Sequence, residues 1–239
     1  LHTEFTWHTS HLKNPKELIS RIAGTAKSLK ASTDNSAIFR QGWKVMFTNP
    51  IIWFRNAIQS FQNIIKTLGG KEVMDGLNAE ILSDRYYDMA KTGKLDVAKI
   101  MTEEPFPAQW IKKVPVLGRI YKASEVAFTA FVQKTRFDVF KTYIDAAIKS
   151  GVDLNKAELI SIGKMVNSLT GRGHLGGIEP VAGFVNNVFF SPRLLKSNID
   201  VLTAHAFQKG ASSFVRKRAA INLVKIISGT AAIMATANA

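Results

Sequence analysis

Between Leu117 and Ser150 the chain runs without a proline through apolar residues at helical spacing, and Gly151 closes the run. A straight helix of that length spans about 50 Å at 1.5 Å per residue. Phe128, Phe131, Val132, Val139, Phe140, Tyr143, Ile144 and Ala147 occupy more than one stripe of it, so neighbours are expected on at least two sides. A rod of this kind can be buried only by other helices or by a sheet, and no period-two strand pattern or internal repeat occurs elsewhere. The expected fold is therefore all-α, a multi-helix bundle around one long central helix. The rod's charged residues Glu125, Lys134, Arg136, Asp138 and Lys141 stand three and four positions apart, which predicts exposed ion pairs worth a few tenths of a kcal/mol each.

Helix starts and stops organise the chain on either side. Asn14-Pro15-Lys16-Glu17 has a cap, a proline at the first helical position and a glutamate three residues after the cap. It predicts a helix to about Ala31, with Leu18, Ile19, Ile22, Ala26 and Leu29 on one face. Asp34 is placed to cap Asn35–Phe47, and Asn49-Pro50 to open Pro50–Leu68, which Gly69-Gly70 ends. Ile51, Phe54, Ile58, Phe61, Ile65 and Leu68 form an apolar stripe on this last helix, and the expectation is that the stripe faces the core. Lys71–Thr92 reads as one helix weakened by Gly76, followed by a short helix from Asp96 to Met101. Pro105, Pro107 and Pro115 then force an extended connector, since a residue before proline avoids helical angles. This divides the chain into a region 1–115 and a region 116–239.

After the rod, Asp153 is placed to cap a helix to about Leu169. A glycine-rich stretch from Gly171 to Gly177 separates it from short helices opened by Pro180 and by Ser191-Pro192, the latter running to about Phe207. Phe190 and Leu195 have the spacing of a hydrophobic staple about the Ser191 cap. Ser212 or Ser213 caps a final helix.

The chemistry on offer is narrow. The chain has 239 residues and no cysteine, which removes disulfides and thiolate metal sites. Neither GxSxG nor HExxH occurs, and Glu103-Glu104 lies in the connector, so no catalytic residue, metal ligand or cofactor is assigned. His8 and His11, with His2 and Glu4, read as surface residues. Gly171-Arg172-Gly173-His174-Leu175-Gly176 matches GxGxxG by letter, but a dinucleotide site needs a strand before it. It reads instead as a helix-to-helix turn using positive φ, with Arg172 and His174 in a solvated loop.

The net charge of +14, from 32 basic and 18 acidic residues, favours polyanions or acidic neighbours. Arg172, His174, Arg193, Arg216, Lys217 and Arg218 are the candidate nucleic-acid or assembly contacts. The last three head an apolar segment containing Ile221, Leu223, Ile226, Ile227 and Ile233, long enough to cross a bilayer. Lys225 and many small residues weigh toward a buried oligomer helix instead. Leu1–Ser10 lacks a basic start and an apolar core. The uncapped apolar end and the Leu1 start read as part of a longer polypeptide.

Three blocks carry a family resemblance. Leu29-Lys-Ala-Ser-Thr-Asp34 is followed by Phe39-Arg-Gln-Gly42; Ala123–Phe140 contains Arg136-Phe-Asp138-Val-Phe140; and Asn167-Ser-Leu-Thr-Gly-Arg-Gly173 is followed by Phe189-Phe-Ser-Pro-Arg-Leu-Leu195. In this order they resemble the large polyvalent-protein-associated helical domains of phage and mobile-element proteins, over roughly Leu29 to Ala239; Lys71–Pro115 matches no part of that pattern. The resemblance implies a non-enzymatic internal virion protein, ejected with the genome or assisting its delivery. It would pack with copies of itself and with other virion proteins, with genomic DNA and a membrane as further partners. Its location would be the virion and, after delivery, the host envelope or cytoplasm. The alternative is a non-specific DNA-binding helical module of a polyvalent protein.

Overall fold

The computed structural model describes residues 37–97, 115–172, 192–203, 205 and 210–237. Among these, every regular element is a helix and the fold is all-α: α1 Ala37–Thr48, α2 Pro50–Leu68, α3 Val73–Ser83, α4 Tyr87–Thr92, α5 Pro115–Lys149, α6 Lys156–Leu169, α7 Pro192–Leu202 and α8 Ser213–Ala237. The expected helices over 14–31 and 180–190, the 98–114 connector and the Ser191 cap with its Phe190–Leu195 staple lie outside the described residues.

Helix α5 is the axis. Its 35 residues pack against α1, α2, α3 and α6, with α2 lying along it most closely. Phe131, Val132, Phe137, Val139, Phe140 and Ile144 are buried on several sides of it, so no single stripe defines its inner face. Pro115, expected in the connector, is instead the first residue of this helix, where its missing N–H costs nothing. Its C-terminus closes as expected at Gly151 (φ 67°), with Gly151 N donating to Ile148 O and Val152 N to Ala147 O, both at 3.0 Å.

Two charged residues of α5 depart from the sequence reading. Arg136 and Asp138 were expected on an exposed face, and both are buried. Asp138 collects Arg55 Nη2 at 2.7 Å, Lys134 Nζ at 2.9 Å and Asn56 Nδ2 at 3.1 Å. Burial alone raises its pKa, but the hydrogen bond and charge of Lys134, with Asn56 and Arg55 behind them, hold the carboxyl below its usual range. A buried carboxylate is tolerated only with such a shell.

The largest departure is the orientation of α2. Its boundaries match the sequence reading, Pro50–Leu68, but its faces are reversed. Trp53, Asn56, Ala57, Ser60 and Asn63 are the buried residues, while Ile51, Phe54, Ile58, Phe61, Ile65 and Leu68 are 49–81 % exposed. Polar pairing explains the inner face: Asn56 donates to Thr135 Oγ1 and Asp138 Oδ2, and Ser60 Oγ donates to Ala127 O at 3.0 Å. Turning the apolar stripe inward would strip Asp138 of Asn56 and Arg55 and leave a buried charge under-partnered.

Smaller differences have local causes. The expected Lys71–Thr92 helix breaks at Asp84 rather than weakening at Gly76, because Asp84 Oδ1 accepts from Tyr86 N in an Asx turn. Asp153 does not cap α6; Asn155 does, accepting from Glu158 N at 3.1 Å. Asn49 precedes α2 but makes no side-chain cap bond. Helix α7 ends at Leu202, short of Phe207. Ser212 caps α8, accepting from Val215 N at 3.1 Å, and also donates to Glu158 Oε1 at 2.8 Å.

Helices α4 and α6 meet backbone to backbone. A Cβ on Gly163 would stand 2.0 Å from the Gly93 carbonyl oxygen, a contact that no rotamer can relieve. Gly163→Ala should therefore cost about 2–3 kcal/mol in chemical denaturation. Gly76, exposed inside α3 with nothing within 4 Å of an added Cβ, is the control: Gly76→Ala should stabilise by about 1 kcal/mol.

Candidate functional site

The glycine turn after α6 is built as a lock. Thr170 ends the helix and Gly171 takes φ 86°, so that Gly171 N donates to Ser168 O at 3.3 Å and Arg172 N to Asn167 O at 2.8 Å. This pair of bonds is a Schellman closure, and the positive φ is why glycine stands there. Two side chains of the same turn, Asn167 and Arg172, reach the segment after α4. Asn167 Oδ1 accepts from Asp96 N at 3.0 Å, and its Nδ2 donates to Lys94 O at 3.1 Å. Arg172 Nη1 lies 3.3 Å from Asp96 Oδ2.

Arg136 joins them from α5. Its Nε donates to Thr170 Oγ1 at 2.9 Å and its Nη1 to Asp96 O at 2.8 Å. Two guanidiniums thus converge on one residue, Arg172 on the carboxylate and Arg136 on the carbonyl. The planar fork of arginine suits such a junction better than a lysine would. The expectation of Arg172 in a solvated loop is corrected: it is only 8 % exposed and ion-paired. Nothing apolar beside it in sequence signalled this, because its partner lies 76 positions earlier, at Asp96.

A second buried cation holds the other side of the turn. Lys44 on α1 is fully buried and donates to Ser168 O at 2.8 Å, Ser197 Oγ at 2.7 Å and Asn198 Oδ1 at 3.0 Å. Three acceptors match the three protons of an ammonium. Ser168 O is also one of the last carbonyls of α6, where positive charge is favoured. Burial pulls the Lys44 pKa down to about 7, with the Asp200 carboxylate acting in the opposite direction. Asp200 is itself paired with Lys196 and accepts from Ser168 Oγ at 3.2 Å. Sequence reasoning missed Lys44; its one signal was a lone cation within the apolar run Trp43-Lys44-Val45-Met46-Phe47.

The remaining expected residues scatter. Arg193 belongs to α7, and its side chain, like the whole of His174, lies outside the described residues. Arg216 and Lys217 are exposed at the start of α8; Arg218 lies 5.3 Å over the Phe214 ring. Within α8, Val215, Ala219, Asn222 and Ile226 form the buried face. Asn222 accepts from Tyr143 Oη at 2.9 Å, and Lys225 Nζ reaches Thr48 O at 3.3 Å, at the end of α1. Of the other apolar candidates, Leu223 is half-buried while Ile221, Ile227 and Ile233 are exposed, as are all of 231–237. Among the described residues α8 is the one helix long and apolar enough to cross a membrane, with 17 % of its apolar window buried. Within the chain, α8 is thus covered on one face only.

These arrangements anchor helices to one another. Among the described residues no three His, Cys, Asp or Glu side chains gather to hold a metal. In the surface groove of Asp84, Arg85, Tyr86, Lys141 and Asp145 the lining residues pair with one another, Lys141 with Asp84 at 2.9 Å and Tyr86 Oη with Asp145.

The lysine clamp has a pH signature. Between pH 7 and about 10.4 the unfolded chain keeps a Lys44 proton that the folded chain gives up, so folding stability should rise with pH across that window. Lys44→Met should flatten the rise in melts recorded from pH 7 to 10. Arg172→Ala should cost about 2–3 kcal/mol by leaving Asp96 without its cation, measured by denaturant titration at pH 7. No family model, no curated protein and no solved structure matches this chain.

Proposed function

We propose that this chain is a structural, non-catalytic virion protein, ejected with a phage genome or assisting its delivery, which packs as an oligomer and forms part of a trans-envelope conduit. The observation that carries the reading is the apolar surface left open along α2 and on α8. Soluble monomers seldom expose contiguous apolar patches beyond about 300–600 Å², and larger ones mark surfaces that meet another protein or a membrane. The fold supports it as well: the buried cations Lys44, Arg136 and Arg172 hold helices together. Within the blocks that resemble the polyvalent-protein-associated domains, Arg136, Asn167, Thr170 and Arg172 form the lock.

A second reading, non-specific DNA binding, is favoured by the net charge of +14 and by Arg216 and Lys217, exposed side by side on α8. Arg172 leaves that set, because Asp96 occupies it.

Quantitative mass spectrometry on purified particles of the phage encoding this chain tests the first reading. The protein should be present in full particles and depleted from those that have released their DNA; its absence from full particles overturns the proposal. In parallel, duplex DNA titrated at two salt concentrations tests the second. Phosphate binding should weaken steeply with salt, and Arg216→Gln with Lys217→Gln should lower the log–log slope by roughly 2. No binding at the lower salt removes it.

A further inference from the structure

The exposed residues of α2 are spaced with a regularity that a merely apolar surface does not need. Ile51, Phe54, Ile58, Phe61, Ile65 and Leu68 follow one another at intervals of three, four, three, four and three. That is the a/d pattern of a heptad, carried across nearly the whole 19-residue helix. The stripe is narrow. On one side Arg55 and Gln62 rim it with exposed polar groups, backed by Gln59 and Lys66; on the other side it is bounded by Ala57 and Ile64, where the helix turns to α5 through Asn56, Ala57 and Ser60. A helix facing lipid needs only a broad apolar arc, whereas a strict seven-residue repeat keeps a seam aligned against another helix.

The amount of surface fits one kind of occupant. At 49–81 % exposure, the six side chains present on the order of 700 Å² of apolar area. A standard interface takes about 800 Å² from each partner.

We infer that the outward face of α2 is a self-association seam, which packs against α2 of a second copy of this chain in antiparallel fashion about a two-fold axis. The order of residues selects the direction. Set antiparallel about the point between Gln59 and Ser60, Ile51 meets Leu68 of the partner subunit, Phe54 meets Ile65 of the partner subunit, and Ile58 meets Phe61 of the partner subunit. Every layer then pairs one residue of each half, and each phenylalanine packs on an isoleucine. A parallel pairing stacks Phe54 and Phe61 on their own copies, at d positions that favour leucine. The antiparallel contact is isologous, so it closes with two chains and leaves α8 free for other neighbours. The inference rests on the assembly reading above and names the surface that carries it.

The test uses the full chain in light scattering coupled to size exclusion, over a range of concentrations. The wild type should be a dimer or a multiple of one. Ile58→Gln with Phe61→Gln should weaken the dimer step by about 100-fold or more and leave the thermal melt of dilute protein unchanged, because both positions face outward. The absence of cysteine permits a directional check. Chains carrying Ile51→Cys, mixed with chains carrying Leu68→Cys, should cross-link on oxidation, while Ile51→Cys chains alone should not, their thiols standing about 25 Å apart. Cross-linking of Ile51→Cys alone overturns the antiparallel seam. A wild type that is monomeric throughout overturns the inference, whether residues 1–36 cover the face or anionic vesicles bind it in a manner lost in the double variant. An oligomer indifferent to the double substitution overturns the seam and leaves the assembly reading standing, since particle composition is measured separately.

Discussion

The burial of polar groups on α5 is the constraint from which the rest of the arrangement follows. Arg136 and Asp138 lie on buried faces of this helix, and beyond Lys134 of the helix itself their partners must come from neighbouring elements. Asp138 takes Asn56 and Arg55 from α2; Arg136 takes Thr170 and the Asp96 carbonyl from the turns after α6 and α4; Tyr143 takes Asn222 from α8. Helices α2 and α8 and the turns after α4 and α6 are thus indexed to the rod by polar bonds as well as by packing. Hydrophobic contact alone allows sliding and rotation by small steps. A buried hydrogen bond does not, because half-satisfied groups are penalised.

That constraint also separates what was legible in the sequence from what was not. Helix ends could be read directly: Pro50 and Gly69-Gly70 bound α2, Gly151 closes α5, and Gly171 closes α6, because capping depends on residues within one turn of the boundary. The α5 core residues were equally plain from their spacing. The orientation of α2 was not. A periodic stripe shows that a helix has an apolar face, but says nothing of whether its partner belongs to the same chain. The deciding groups, Asp138 on another helix and the small residues Ala57 and Ser60, carry little weight in a hydropathy pattern. Arg172 and Lys44 were hidden for a related reason: each is buried by a partner more than 70 positions away. The Asp84 break escaped because an Asx turn and a helical aspartate look alike in sequence.

Polar groups inside and apolar groups outside give the molecule an unfinished character. On α2 the inner face is hydrogen-bonded and the outer face is hydrophobic; α8 docks by one face and leaves the other open. Specific, directional bonds are used up within the chain, and what remains on the surface is non-directional adhesion held in register by spacing. On the assembly reading proposed above, such a division suits a subunit whose own shape is settled before it meets its neighbours.

Lys44 bears on the order in which this shape forms. Its three acceptors lie 124, 153 and 154 positions further along the chain. On a ribosome, α1 is made before α7 and its clamp closes only after α7 has emerged, so until then its ammonium stays in water. A single side chain thus ties the first described helix to the end of α6 and to α7, parts of the chain that local contacts could not join.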